Sequence, residues 1–328
     1  MDMEVNMLEQ NKTFKEYLSI LKKEELINII NDYNKLCIIF DYPKIEELKG
    51  KKEELIDSIN NVKNNYFKGI IMLLDNEDFT NLTTIIKKES EELLSANKVL
   101  VNYLKSKHVF YTLDNLCIPS DINLKKIISS KEVREKEKRN DSIYKMMDGI
   151  IIAYGVIDFK YFDIITSSVK NNKKIISILD FYYKKDYKIL SDRIITNKLT
   201  NKKRINRYFK DSNYKAFTTK DFIKMGNNTY HHEIKAYKKF IKMLKNHYIF
   251  KNNDIIYIDK NIVIPYLYIS LNEEEKANKN LEDTILSLFE FKGDKLRLKM
   301  LEEITEIRSE FPLWEYRGYT KKEKINEK

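Results

Sequence analysis

The chain has 328 residues, a formal net charge of +10, and only 7 Gly, 4 Pro and 2 Cys. With so few glycines and no GxxxxGK[ST] or GxGxxG pattern, a P-loop and a dinucleotide-binding turn are excluded. Cys37 and Cys117 stand 80 positions apart in apolar surroundings, which excludes a disulfide-stapled scaffold and a cysteine-rich zinc site and predicts buried, reduced thiols.

Phe14, Leu18, Leu21, Leu26, Ile29, Ile30 and Tyr33 recur at helical spacing and predict a helix over 14–34. Residues 36–40 read as extended, Asp41-Tyr42-Pro43 as a turn, and 48–59 as a second helix. Leu-Lys-Lys-Glu-Glu-Leu at 21–26 is echoed by Lys-Lys-Glu-Glu-Leu at 51–55. Over about 50 residues this helix, linker, helix order resembles the SAP and Rho N-terminal modules. The resemblance implies nucleic-acid contact. The acidic character of this copy sets a protein-contact or structural role beside it.

Residues 66–74 and 79–88 fit two short helices. A third starts at Ser90, with Glu91 and Glu92 in its first turn and Leu93, Leu94, Val99, Leu100, Tyr103 and Leu104 along it. The period then changes to that of a hairpin, with strands at 108–112 and 116–119 about a polar turn. Three helices followed by a hairpin is the winged-helix order.

The same order returns downstream. A helix at 201–210 precedes a short helix capped by Thr218 or Thr219 and stopped at Gly226. A long helix from about 229 to 246 carries Ile234, Tyr237, Phe240, Ile241 and Leu244, and strands are expected at 247–250, 255–258 and 262–265. Both copies pass from a helix containing Leu-Lys through a His and an aromatic strand to a closing Ile-Pro. They are therefore read as winged-helix-like repeats.

Between them, 131–140 is a charged, helix-prone connector and the most exposed candidate linker, and 143–152 is an apolar helix. An extended stretch at 154–157 and an amphipathic helix at 159–169 follow. After 265 the chain reads as acidic and helical through 281–291 and 296–310. Pro312-Leu-Trp-Glu-Tyr-Arg-Gly-Tyr-Thr320 resembles the segment that precedes SEC-C zinc tails in some bacterial proteins. The Cys and His ligands of such a tail are absent, so no metal role carries over, and 321–328 read as a frayed end. The predicted fold is mainly α, multi-helical with two small β-hairpins and winged-helix-like repeats. Its segments are 1–62, 63–130, 131–200, 201–265 and 266–328.

The N-terminal MDMEVNMLEQ is acidic and lacks the apolar core of a signal peptide, and no run reaches the roughly 18 apolar residues of a membrane helix. With a mean hydropathy of −0.53, the expectation is a soluble cytoplasmic protein. Its Lys, Asn and Ile usage fits an AT-rich bacterial or mobile-element gene.

Candidate chemistry is sparse. His231-His232-Glu233 is the one histidine cluster, but adjacent histidines lack the i, i+4 spacing of zinc hydrolases and no third ligand is evident. Asp221, Glu233 and Lys235 match the acid…E-x-K pattern of metal-dependent nucleases. That chemistry needs Glu and Lys on one face of a strand, whereas residues i and i+2 of a helix diverge by about 200°. There is no G-x-S-x-G, and neither cysteine has a neighbouring His. The expectation is a chain without catalytic residues, metal or cofactor. Tyr182-Tyr183 and Tyr266 with Tyr268 suit either base stacking or a core, of which the core is commoner for tyrosine at such spacings.

Charge is the strongest signal. Residues 173–260 hold 22 Lys+Arg against 8 Asp+Glu, a net of +14, so the other 240 residues sum to −4. Residues 1–95 hold 13 basic and 19 acidic side chains. Such asymmetry creates a face that attracts polyanions. Within it, Lys235, Lys238, Lys242 and Lys245 follow spacings of 3, 4 and 3 along the third helix of the second repeat, with Lys239 beside them. Lys202, Lys203, Arg204 and Arg207 form a second cluster next to Tyr208, suited to phosphate contacts. Lysine predominating over arginine, with few Asn or Gln on the helix, favours backbone contact over base readout. The matching helix of the first repeat opens with Glu89, Glu91 and Glu92 and suits protein contact or dimerisation. The reading is a non-enzymatic nucleic-acid-binding or regulatory protein, its partner double-stranded DNA. The alternative is a phage or plasmid inhibitor that docks on an acidic protein surface of a host or defence complex and has no nucleic-acid role.

Overall fold

A computed structural model describes residues 8–9, 12–46, 50–88, 91–113, 115–169, 172–197, 214–248, 252–267, 281, 283–284, 289 and 294–326. The fold is mainly α. Two compact units are present, one of residues 1–144 with 171–184, the other of 145–170 with 185–328.

The first unit opens with β1 (Leu8–Glu9), followed by α1 (Phe14–Ile20) and α2 (Lys23–Phe40). Thr13 and Glu16 form a reciprocal capping box at the start of α1. The repeated Lys-Lys-Glu-Glu-Leu has a local cause. At both copies the second Glu accepts the backbone N–H of the residue before the helix, Lys22 to Glu25 at 2.8 Å and Lys51 to Glu54 at 2.9 Å. The echo is thus a helix-start device used twice, at α2 and at α3 (Lys52–Met72). Residues 36–40, expected to be extended, are the last turns of α2. Leu26, Ile29, Ile30, Tyr33, Leu36, Cys37 and Phe40 are all buried along one helical face, and that 3.6-residue rhythm outweighs the β-propensity of the Cys-Ile-Ile-Phe run. Asp41, at φ 60°, ends the helix in the left-handed region.

Next come α4 (Asn76–Lys88), α5 (Glu91–Ala96) and α6 (Lys98–Ser106), so the expected single helix after Ser90 is broken near Asn97. The first hairpin stands where it was expected. β2 (Tyr111–Thr112) pairs antiparallel with β3 (Leu116–Cys117), and β1 adds a parallel strand on the other edge of β3. Helix α7 (Leu124–Ser129) leads to α8 (Lys131–Tyr154), which is unbroken through the expected connector. Within that stretch Val133, Glu137 and Asn140 are buried, so it is a core helix. Cys37 and Cys117 are buried free thiols.

In the second unit β4 (Val156–Asp158) and α9 (Phe159–Thr166) follow the end of α8. Helix α10 (Ile175–Phe181) belongs to the first unit. The second hairpin is formed by β5 (Tyr187–Ile189) and β6 (Arg193–Thr196), with β4 on the far side of β6. It was expected at 247–265, where the chain is helical over 252–265. α11 (Thr219–Gly226) starts at an Asp221–Thr218 capping box, as the sequence signals indicate. A 3₁₀ turn over Tyr230–Glu233 precedes α12 (Lys235–His247). Then come α13 (Asn252–Ile258), the π-helical turn Asp259–Val263 and α14 (Ile264–Leu267). Helix α15 (Asp294–Ser309), a 3₁₀ turn at Trp314–Tyr316 and α16 (Lys321–Asn326) complete the described chain, so part of the expected frayed end is helical. Among the described residues no helix is long and apolar enough to cross a membrane.

Candidate nucleic-acid interface

Helix α12 divides cleanly into two faces. Ala236, Tyr237, Phe240, Met243 and Leu244 are buried, packed with Ile258, Ile262, Val263, Met300, Ile304 and Ile307 from the helices around it. At 100° per residue these five lie within an arc of about 120°, and Lys235, Lys238, Lys242 and Lys245 lie within an arc of about 80° centred opposite. All four lysines are exposed. None makes an ion pair with a described residue. The stripe spans about 15 Å of helix at 1.5 Å per residue.

Lys239 differs from its neighbours. Its angular position borders the buried arc, and its Nζ meets Glu303 of α15 at 2.7 Å, a hydrogen bond that raises its pKa above the ordinary lysine value. Lys239 is thus tied to the fold, and the lysines of this face without a described ion-pair partner reduce to four. Lys202, Lys203, Arg204 and Arg207, with Tyr208, lie outside the described residues.

At the foot of this helix the fold assembles a polar cluster that the sequence did not reveal. His231 and His232 occupy the 3₁₀ turn, and Asp259 begins the π-helical turn 27 positions beyond His232. His232 Nε2 is 2.8 Å from Asp259 Oδ2, and His231 Nε2 is 3.5 Å from Oδ1. The Tyr237 hydroxyl donates to the same carboxylate, at 2.8 and 3.0 Å. Burial pushes the Asp259 carboxyl up, but the two imidazoles and the phenol outweigh it and hold the pKa below the usual aspartate value. Burial and the adjacent carboxylate push the Tyr237 phenol in the opposite direction, well above its ordinary value. His231 is fully buried, and neither of its ring nitrogens completes a well-formed hydrogen bond. The sequence showed no third partner for the histidines. It is Asp259, concealed in a stretch whose isoleucines signalled strands.

The nuclease-like set is not gathered. Asp221 closes the capping box with Thr218, and Glu233 pairs with Lys224. The tyrosines offered for stacking on bases are core residues where they are described. Tyr182 stacks on Tyr144 with centroids 4.1 Å apart, Tyr183 stacks on Tyr103 at 4.0 Å, and Tyr266 is buried. A cavity of about 360 Å³ in the second unit is lined by Asp148 and Asp186 among apolar groups, with no Lys or Arg on its wall, so it does not extend the basic face.

Comparison with protein-family models, with curated proteins and with solved structures finds no match to this chain.

Proposed function

We propose that the chain binds nucleic acid through the exposed face of α12, contacting the phosphate backbone of double-stranded DNA without catalysing a reaction on it. The observation that supports this reading is the pairing of four exposed lysines on one face with a fully packed opposite face. A helix held by its apolar side presents its charges at fixed spacing, so less side-chain ordering is left to the moment of binding. The stripe belongs to the segment that carries a net +14. Lysines at 3–4 residue intervals supply point charges for phosphates. Lysine is a point charge without the planar fork of Arg or the amide of Asn and Gln, which favours backbone over base contact.

The test is fluorescence anisotropy of a labelled 30-base-pair duplex across a salt series. A log Kd rising with log salt at a slope near 0.9 per phosphate neutralised is expected. Replacing Lys235, Lys238, Lys242 and Lys245 by Glu leaves the buried face untouched and is expected to reduce the slope by about 3–4 and the affinity at least a hundredfold. Absence of binding at low salt overturns the reading and turns the face into a docking surface for an acidic protein.

A further inference from the structure

We propose that His231, His232 and Asp259 form a zinc-binding site that ties the start of α12 to the π-helical turn. The proposal is independent of whether α12 contacts nucleic acid. It starts from the one fully buried imidazole in the second unit's core. His231 is 0% exposed; its Nδ1 has no hydrogen-bond partner, and its Nε2 has only a long 3.5 Å approach to Asp259. A buried polar group left in this condition is a standing cost to the fold. The same side chain aims Nε2 at a carboxylate that a second imidazole also faces.

The geometry suits a small tetrahedral ion. With metal–nitrogen and metal–oxygen bonds of about 2.0–2.2 Å, neighbouring ligand atoms of a tetrahedron stand roughly 3.3–3.5 Å apart. His231 Nε2 and Asp259 Oδ1 stand 3.5 Å apart, and one ligand atom from each of the three residues falls within 4.8 Å of the others. An ion entering the cluster replaces the 2.8 Å contact of His232 with the carboxylate by a bond from each to the metal. Two imidazole nitrogens and one carboxylate favour zinc over calcium or magnesium, which take oxygen sets.

Tyr237 supplies the outer support. Its hydroxyl donates to Asp259 and holds the carboxylate plane in place, the part that groups behind a metal ligand ordinarily play. Three protein ligands leave a fourth position, and His232, with 46% of its side chain exposed, gives solvent a way to it. The adjacent histidines converge because they sit in a 3₁₀ turn facing the segment that carries Asp259. An i, i+4 pair on one helix is not required. Single π-helical turns within helices lie frequently at functional sites, and Asp259 begins one.

The experiment uses the full chain, stripped with a chelator and titrated with zinc against a chromophoric competitor. One zinc per chain and an upward shift of the melting temperature on zinc addition are expected. His232→Ala and Asp259→Asn should each weaken zinc binding at least tenfold. His247→Ala removes an exposed histidine at the far end of α12 and should leave binding unchanged. Cobalt bound to the wild-type chain should show the intense visible bands of a tetrahedral N/O site, a readout that does not depend on any variant folding. Failure of the wild type to take up stoichiometric zinc, or unaltered affinity in both His232→Ala and Asp259→Asn, overturns the proposal.

Discussion

Glu137 lies in the core of the first unit at 1% exposure, and its Oε1 has no hydrogen-bond partner. Burial, reinforced by Asp141 and Asp75, pushes its pKa from 4.5 up to about 7. A carboxyl raised in this way binds its proton more tightly folded than unfolded. The stability it confers is fully present below pH 4.5 and is lost as the pH rises through about 7. Glu137→Gln removes that dependence. The variant is expected to be more stable than wild type at pH 8 by roughly 2–3 kcal/mol, with the difference vanishing near pH 4.5, as read by urea unfolding at several pH values. A neighbouring pair of buried acids is instead held by a cation. Lys184 reaches Asp75 at 3.1 Å and Asp78 at 2.9 Å, both carboxylates being almost fully buried, while Tyr183 donates to Asp78. Without the ammonium, two buried acids face each other uncompensated. Lys184→Met is therefore expected to cost roughly 3–5 kcal/mol. Adding Asp78→Asn should recover part of it, because one of the two like charges is then gone.

At the scale of elements, α8 and α11 cross so closely that glycine is required on both. A Cβ on Gly149 would stand 1.9 Å from the Phe222 carbonyl oxygen, and a Cβ on Gly226 would stand 1.9 Å from that of Lys145. Each glycine thus receives a backbone carbonyl of the other helix. Gly→Ala in a helix ordinarily stabilises by up to about 1 kcal/mol. Here the clash is with backbone, which cannot swing aside, and the sign reverses. Gly149→Ala and Gly226→Ala are each expected to cost roughly 1–3 kcal/mol, and the double variant less than the sum, since helices once parted accommodate both methyls. Gly226 was legible in the sequence as the stop of α11, but the crossing was not, because nothing local marks which helix a glycine faces. The same limit explains the run from 252 to 267. Ile255-Ile256-Tyr257-Ile258 and Ile262-Val263-Ile264 carry β-propensity, and Asp259-Lys260-Asn261 carries a turn signal. Burial nevertheless falls on Ile258, Asp259, Ile262, Val263, Tyr266 and Leu267 in steps of four, a helical rhythm imposed by packing against α12 and α15. Tertiary context outweighs a propensity worth at most about 1 kcal/mol per residue. Asp259 became visible as the partner of His231 and His232 only when that helix replaced the expected hairpin. The lysine stripe and most of the apolar face of α12, by contrast, were readable, because both spacings are functions of 3.6 residues per turn; Lys239, tied to Glu303, was not separable from the stripe.

For the whole molecule, the question is whether polyanion binding follows from total charge or from where the charge is held. A net of +10 gives a weak long-range attraction for polyanions whatever the surface layout. The asymmetry separates the two causes, since +14 resides in 173–260 and −4 in the remainder. Replacing Lys235, Lys238, Lys242 and Lys245 by Glu lowers the formal charge by eight, from +10 to +2. An equal change is available in the first unit, at the exposed Lys87, Lys88, Lys98 and Lys126. Both variants have the same net charge, and both spare the core. If total charge governs, they lose affinity for duplex DNA equally. If the α12 stripe governs, the first-unit variant keeps the wild-type salt slope and loses less than about tenfold in affinity, while the α12 variant loses the slope itself. A lysine that touches no phosphate contributes only a screened long-range term, because the Debye length at 0.15 M salt is about 8 Å. At that ionic strength the two anisotropy titrations are expected to separate, and to draw together as the salt is lowered toward 0.01 M, where the Debye length reaches about 30 Å.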